Sequence, residues 1–142
     1  MPFAIRIDRR ILDGLIAHAR RDYPNECCGI LVGRRDENET AVHGARGAEN
    51  ISDSDRTRSF QVDWQALFAA MRSVRDGGEA IVGFYHSHPD GSVVPSVRDT
   101  RLAWTDHSYV IIGINGGSCR GVASWRVGHF GAGFTEELIV EC

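Results

Sequence analysis

A chain of 142 residues, 42% hydrophobic and 25% charged, has the length of one domain that buries about two-thirds of its unfolded surface. Its formal charge of −3 sets 19 acidic residues against 16 basic ones, all arginine and never in a run, which argues against nucleic acid or an anionic membrane as partner. The longest apolar stretches, residues 81–85 and 109–114, are too short to span a bilayer, and MPFAIRIDRR lacks an apolar core of signal-peptide length, so a cytoplasmic location is expected.

Residues 4–7 read as a short strand. Asp8 then caps a helix that places Ile11, Leu12, Leu15, Ile16 and Ala19 on one face, and Tyr23-Pro24-Asn25 ends it. Residues 28–33 form an apolar strand, 34–39 a charged turn, and 40–48 a second strand suited to a hairpin. The polar stretch 50–57 is a surface loop. A second helix is predicted over 63–74, with Trp64, Leu67, Phe68 and Met71 on one side. The continuous apolar run 80–85 fits a strand buried on both faces. A loop over 86–95 follows, then a short helix opened by Ser96 and running to about Trp104. Strands over 109–114, 119–127 and 134–140 complete a mixed α/β (α+β) fold, one sheet flanked by helices.

Four cysteines raise the question of metal or disulfide chemistry. Cys27 and Cys28 are adjacent, Cys119 and Cys142 are remote, and no C-x-x-C pair exists, which excludes zinc ribbons, knuckles and thioredoxin-type sites. A cytoplasmic chain of ordinary hydrophobic content needs no disulfide. Histidine is the residue left to explain.

His86 and His88 stand at the end of the buried strand, and side chains at i and i+2 of an extended chain share a face. They can present two imidazoles to one ion, and Asp99 can return a carboxylate from the first turn of the helix that follows. Two histidines and a carboxylate leave one position of a tetrahedral zinc open, the catalytic rather than the structural arrangement. Simpler roles exist for each: Ser96 and Asp99 fit a helix-start capping pair, and an isolated H-x-H occurs in unrelated hydrolases.

The whole spacing, His86-x-His88, seven residues, Ser96, two residues, Asp99, resembles the JAMM (MPN-plus) metalloproteases. Pro24-Asn25-Glu26-Cys27-Cys28-Gly29 is similar to that family's P-x-E-x-C-G segment, and Asn50 and Phe60…Asp63 resemble the pattern between the two. The likeness runs from about residue 5 to 127. It implies a single JAMM/MPN domain over residues 1–142 with a cytidine-deaminase-like fold. It implies further that His86, His88 and Asp99 bind Zn²⁺, that Glu26 is the acid/base acting on water, and that Ser96 hydrogen-bonds the developing oxyanion. Cys27 and Cys28 are not needed as ligands, and Cys28 is expected to pack into the sheet. Arg98 and Thr100 are left open between substrate and solvent. His18, His43, His107 and His129 have no spacing that suggests a site. Rival H-x-E/P-C-x-x-C deaminase and H-E-x-x-H signatures are absent, and an amidohydrolase barrel takes about 250 residues.

The resemblance implies hydrolysis after the C-terminal Gly-Gly of a ubiquitin-like protein. Residues 80–110 leave no room for the insertions of eukaryotic members, so the expected substrate is a sulfur carrier protein, trimmed of a cysteine or a short extension. The alternatives are an isopeptidase acting on protein conjugates and a non-catalytic zinc-containing interaction scaffold. A homodimer is left open.

Overall fold

The computed structural model describes residues 3–128 and 133–142; His129, one of the histidines considered above, lies outside them. In chain order the elements are β1 (Ala4–Ile7), α1 (Arg9–Asp22), β2 (Cys28–Arg35), β3 (Glu39–Ala48), α2 (Trp64–Val74), β4 (Ala80–His88), α3 (Val97–Leu102), β5 (Ser108–Asn115), β6 (Ser118–Val127) and β7 (Phe134–Glu141). Each helix begins where a short polar side chain can satisfy its free amides. Asp8 accepts from the Arg10 N–H, Asp63 from Gln65 and Ser96 from Asp99. Arg20 and Arg21 occupy the last turn of α1, where positive charge suits the helix dipole.

The strands pair in the order β1-β3-β2-β4-β5-β6-β7, and β1 also pairs with β7, so the pairing returns on itself. β4 and β5 run parallel, joined by the crossover through α3, while β2–β4 and β5–β6 are antiparallel. Strand alternation divides the apolar residues between two cores. Leu31, Val82, Tyr85, Val110 and Ile112 meet Leu12, Leu15 and Ala19 of α1 on one face. Cys28, Ile30, Phe84 and Tyr109 meet Leu67 and Ala70 of α2 on the other.

Three boundaries differ from expectation. Arg34 and Arg35 are not in a turn: they continue β2 by pairing with Ala41 and Thr40. The third helix stops at Leu102, and Ala103 is already extended. β4 does not end at Tyr85, because it lies between two partners that carry it on, with His86 opposite Cys28 of β2 and His88 opposite Gly113 of β5. Polar residues here read as loop, yet a strand flanked on both sides keeps its backbone bonded whatever its side chains are.

Beyond β4 the chain folds back over β5. A Cβ on Gly113 would stand 2.3 Å from the Gly91 carbonyl oxygen, so only glycine admits the returning loop. The Trp125 indole N–H then holds the Val93 carbonyl at 2.8 Å. This return delivers Ser96 and Asp99 to the end of β4.

Candidate metal centre

Within β4, His86 and His88 point to one face, with their Nε2 atoms 3.2 Å apart. Asp99 Oδ2 lies 3.1 Å from each of them. All three side chains are buried. Donors held 2.0–2.1 Å from a tetrahedral zinc sit about 3.3 Å from one another. The triangle formed here by two imidazole nitrogens and a carboxylate oxygen is therefore close to one face of such a tetrahedron, and its donor set suits zinc.

Local chemistry orients each donor. Ser96 and Asp99 form a reciprocal cap: the Ser96 N–H donates to Asp99 Oδ2 at 2.8 Å, and the Asp99 N–H donates to Ser96 Oγ at 3.0 Å. Capping and facing the histidines are thus one conformation of Asp99. Burial alone would raise its pKa, but bonds to His86, His88 and the Ser96 amide hold the carboxyl far below its usual range. Burial keeps His86 below its ordinary value, as a neutral ligand requires. Burial also works to lower His88, but Asp99 and Glu26 outweigh it and raise that group. Among the described residues His86 Nδ1 has no hydrogen-bond partner, and its ring is instead stacked on Phe60, centroids 4.4 Å apart and planes at 23°.

Glu26 arrives from the segment before β2. Its carboxylate and the nitrogens of both histidines lie within 4.8 Å of one another. Its N–H donates to the Arg56 carbonyl at 2.7 Å, and its own carbonyl accepts from Asn50 Nδ2 at 3.0 Å. Asn50 is a buried clamp: Nδ2 also reaches the Ser59 carbonyl, and Oδ1 accepts the N–H groups of Ser52 and Gln61. Glu26 is 5% exposed, and its Oε1 has no hydrogen-bond partner among the described residues. Burial pushes the carboxyl up to about 8, with His88 pulling against the rise. Gly29, the last residue of the glutamate motif, is required by packing, since a Cβ there would stand 2.2 Å from the Tyr85 ring.

Two hollows of unlike character flank these residues. An apolar cavity of about 220 Å³ has Phe60, Trp64, Leu67, Phe84, Trp104 and Tyr109 in its wall, together with His86 and Asp99. A larger polar cleft of about 890 Å³ is lined by Glu26, His88 and Ser96 and by Arg58, Asp90 and Arg98. Arg98 borders both. Thr100 is exposed, and its Oγ1 donates to the Ser96 carbonyl at 3.0 Å, a bond within the first turn of α3.

The structure thus gathers Glu26, His86, His88, Ser96 and Asp99 at one place and leaves the cysteines apart. Cys27 and Cys28 are buried, and Cys28 packs in the core under α2. His18 is buried against Tyr85, while His43 pairs with Glu79 at the surface. Sequence reasoning missed Ser87, whose Oγ accepts the Cys27 N–H at 2.8 Å and ties the glutamate segment to β4. Its place between the two histidines was the available signal.

The family model for prokaryotic homologs of the JAB domain matches residues 8–128. The chain belongs to the prokaryotic JAB family. Among its relatives, desampylase of Haloferax volcanii is 32% identical over 73% of this chain and 76% of that protein. CysO-cysteine peptidase of Mycobacterium tuberculosis is 30% identical over 87% and 81%, and a probable TtuB-protein conjugate cleaving protease of Thermus thermophilus 33% over 78% and 70%. The solution structure of protein DSY2949 from Desulfitobacterium hafniense superposes with a TM-score of 0.82 at 31% identity, covering 97% of this chain and 92% of that one. The JAB chain described here is a hydrolase, with the mixed α+β fold of its relatives. No described helix is long and apolar enough to cross a membrane.

Proposed function

We propose that this protein is a cytoplasmic, zinc-dependent peptidase that removes a C-terminal cysteine or short extension from a ubiquitin-like sulfur carrier by hydrolysing the amide after Gly-Gly. Residues 1–142 act as a single JAMM-type domain in this reading. The observation that carries it is the convergence of a buried His86–His88–Asp99 triangle with an unpartnered buried carboxylate, Glu26. The names of the sulfur-carrier and conjugate-cleaving relatives support the substrate class.

His86, His88 and Asp99 would hold the ion. When bound, zinc supplies a Lewis acid that polarises the scissile carbonyl and acidifies the attacking water. Glu26 does the proton work: a desolvated carboxylate without hydrogen bonds is a better base than a solvated one, and Oε1 takes the water's proton and passes it to the leaving amine. Ser96 Oγ already accepts the Asp99 N–H, which leaves its hydroxyl proton for the carbonyl oxygen as that oxygen gains charge.

The test is mass spectrometry of carrier–cysteine and carrier-extension adducts incubated with zinc-loaded protein, with EDTA and Glu26→Gln as controls. Loss of the added residues, abolished by either control, is expected. Intact adducts beside cleaved isopeptide conjugates would establish instead the isopeptidase reading, which the likeness to the conjugate-cleaving protease favours. Full hydrolysis by Glu26→Gln would remove the role assigned to that residue.

A further inference from the structure

Glu26 lines only one of the two hollows beside the histidines, the polar cleft; the wall of the apolar cavity contains His86 and Asp99 but not Glu26. A proton donor must stand within about 2.6–3.2 Å of the nitrogen it protonates, or one water away. The leaving amine therefore lies on the Glu26 side, and whatever that amine belongs to extends into the polar cleft. That leaves the apolar cavity, walled by Trp64 and Trp104, for the acyl side.

The cleft contains two cations that act on carboxylates only through space, Arg58 on Asp55 and Arg98 on Glu26. Arg58 comes from the loop after β3 and Arg98 from the start of α3, and neither guanidinium has a hydrogen-bond or ion-pair partner among the described residues. The acids beside them are occupied in their own turns. Asp55 accepts the N–H and hydroxyl of Thr57 at 3.0 and 2.6 Å, and Asp90 accepts the Ser92 N–H at 2.9 Å. A guanidinium fork with free donors is the side chain best matched to a carboxylate.

Given hydrolysis after Gly-Gly as proposed above, we propose that Arg58 and Arg98 bind the free α-carboxylate of the leaving residue. They thereby select carriers extended by a terminal amino acid over conjugates through a lysine side chain. A lysine within a protein has its carbonyl tied into the next peptide bond and offers no carboxylate to these arginines. The two residues determine specificity and take no part in the bond-breaking steps.

The experiment uses one carrier ending in Gly-Gly-Cys, prepared as the C-terminal acid and as the C-terminal amide. The acid-to-amide ratio of kcat/KM is measured for the zinc-loaded protein and for Arg58→Gln, Arg98→Gln and the double variant. The ratio of dissociation constants for the same two ligands is measured by calorimetry on Glu26→Gln, where turnover does not intrude. The expected ratio in the parent protein is about tenfold or more in favour of the acid, as for a charge-assisted contact. Each single variant lowers it, and the double variant brings it close to one. Arg101→Gln, which removes an exposed arginine of α3 outside the cleft, leaves it unchanged. Equal handling of acid and amide by the parent protein, or arginine variants that slow both substrates alike, would overturn the assignment while leaving the hydrolase reading intact. If neither carrier is cleaved or bound, both fall together.

Discussion

Ser87 Oγ accepts the Cys27 N–H at 2.8 Å, while the Ser87 N–H donates to the Cys27 carbonyl at 3.2 Å. Strand alternation turns this hydroxyl to the face opposite His86 and His88, so the residue between the two histidines grips the residue after Glu26. Replacing Ser87 with alanine leaves a buried amide without an acceptor, which costs about 1–3 kcal/mol. The variant is expected to melt several degrees lower, keep its metal content and lose kcat as Glu26 shifts relative to the histidines. Metal analysis, calorimetry and kinetics on one preparation check this, and unchanged kcat would show that the tie does not position Glu26.

Far from the histidines in sequence, Glu137 and Arg126 form an ion pair at 3.0 Å with both residues 3% exposed or less. The carboxylate also accepts from Ser108 and Ser124, at 3.1 and 2.7 Å, and the guanidinium reaches Thr40 Oγ1 at 2.9 Å and lies 4.2 Å above the Phe3 ring. Removing one partner strands a buried charge and costs about 3–5 kcal/mol, whereas removing both does not. Glu137→Leu and Arg126→Met should each lower the urea midpoint sharply, and the double variant should lose much less than their sum. Additive losses would mean that the two charges are stabilised independently.

His18 bonds the Tyr85 hydroxyl through Nδ1 at 2.7 Å and Asp22 through Nε2 at 3.1 Å. Burial raises the Tyr85 pKa, so the phenol stays protonated and donates to Nδ1, leaving Nε2–H for Asp22. Burial lowers His18 from its ordinary 6.5, with Asp22 opposing and Arg21 reinforcing the shift. Below pH 6.5 the unfolded chain therefore binds a proton that the folded one refuses, and stability rises with pH up to about 6.5 and then levels. Urea unfolding of the parent protein and of His18→Gln across about pH 5 to 8 should differ in slope below about pH 6.5, beside an offset from the altered Tyr85 and Asp22 bonds. Parallel curves would contradict it.

Burial pushes the Cys27 and Cys28 thiols up to about 12. The thiolate is the reactive form, so both should resist alkylation in the native state. Iodoacetamide is expected to label exposed Cys142 first and half-buried Cys119 more slowly, with Cys27 and Cys28 modified only in denaturant. Peptide mapping reads the order directly, and early labelling of Cys28 would place it at an accessible surface.

What could be seen in the sequence was what rests on short separations. Asp8 and Ser96 announce helices because a cap bonds amides two or three residues on. His86 and His88 announce a shared face because strand geometry repeats every two residues. The glutamate motif was legible only through its likeness to a family, since nothing near Glu26 in the chain says what it will face. Asn50 and Phe60 entered on the same likeness, without their physical roles, a backbone clamp on Glu26 and a stacked ring on His86.

The sequence by itself determined the α+β order of elements, the paired imidazoles and the Ser96–Asp99 cap, since each depends on bonds or faces within a few residues. Tertiary structure alone decided that β4 runs on to His88, that Cys28 lies opposite His86 and so brings Glu26 to the two histidines, and that Gly91 folds over Gly113 to return Asp99. It also decided that an apolar cavity and an arginine-bearing cleft meet at that point. These relationships join segments about ten to sixty residues apart through strand register and close packing, which set in only when the strands pair and the two cores close.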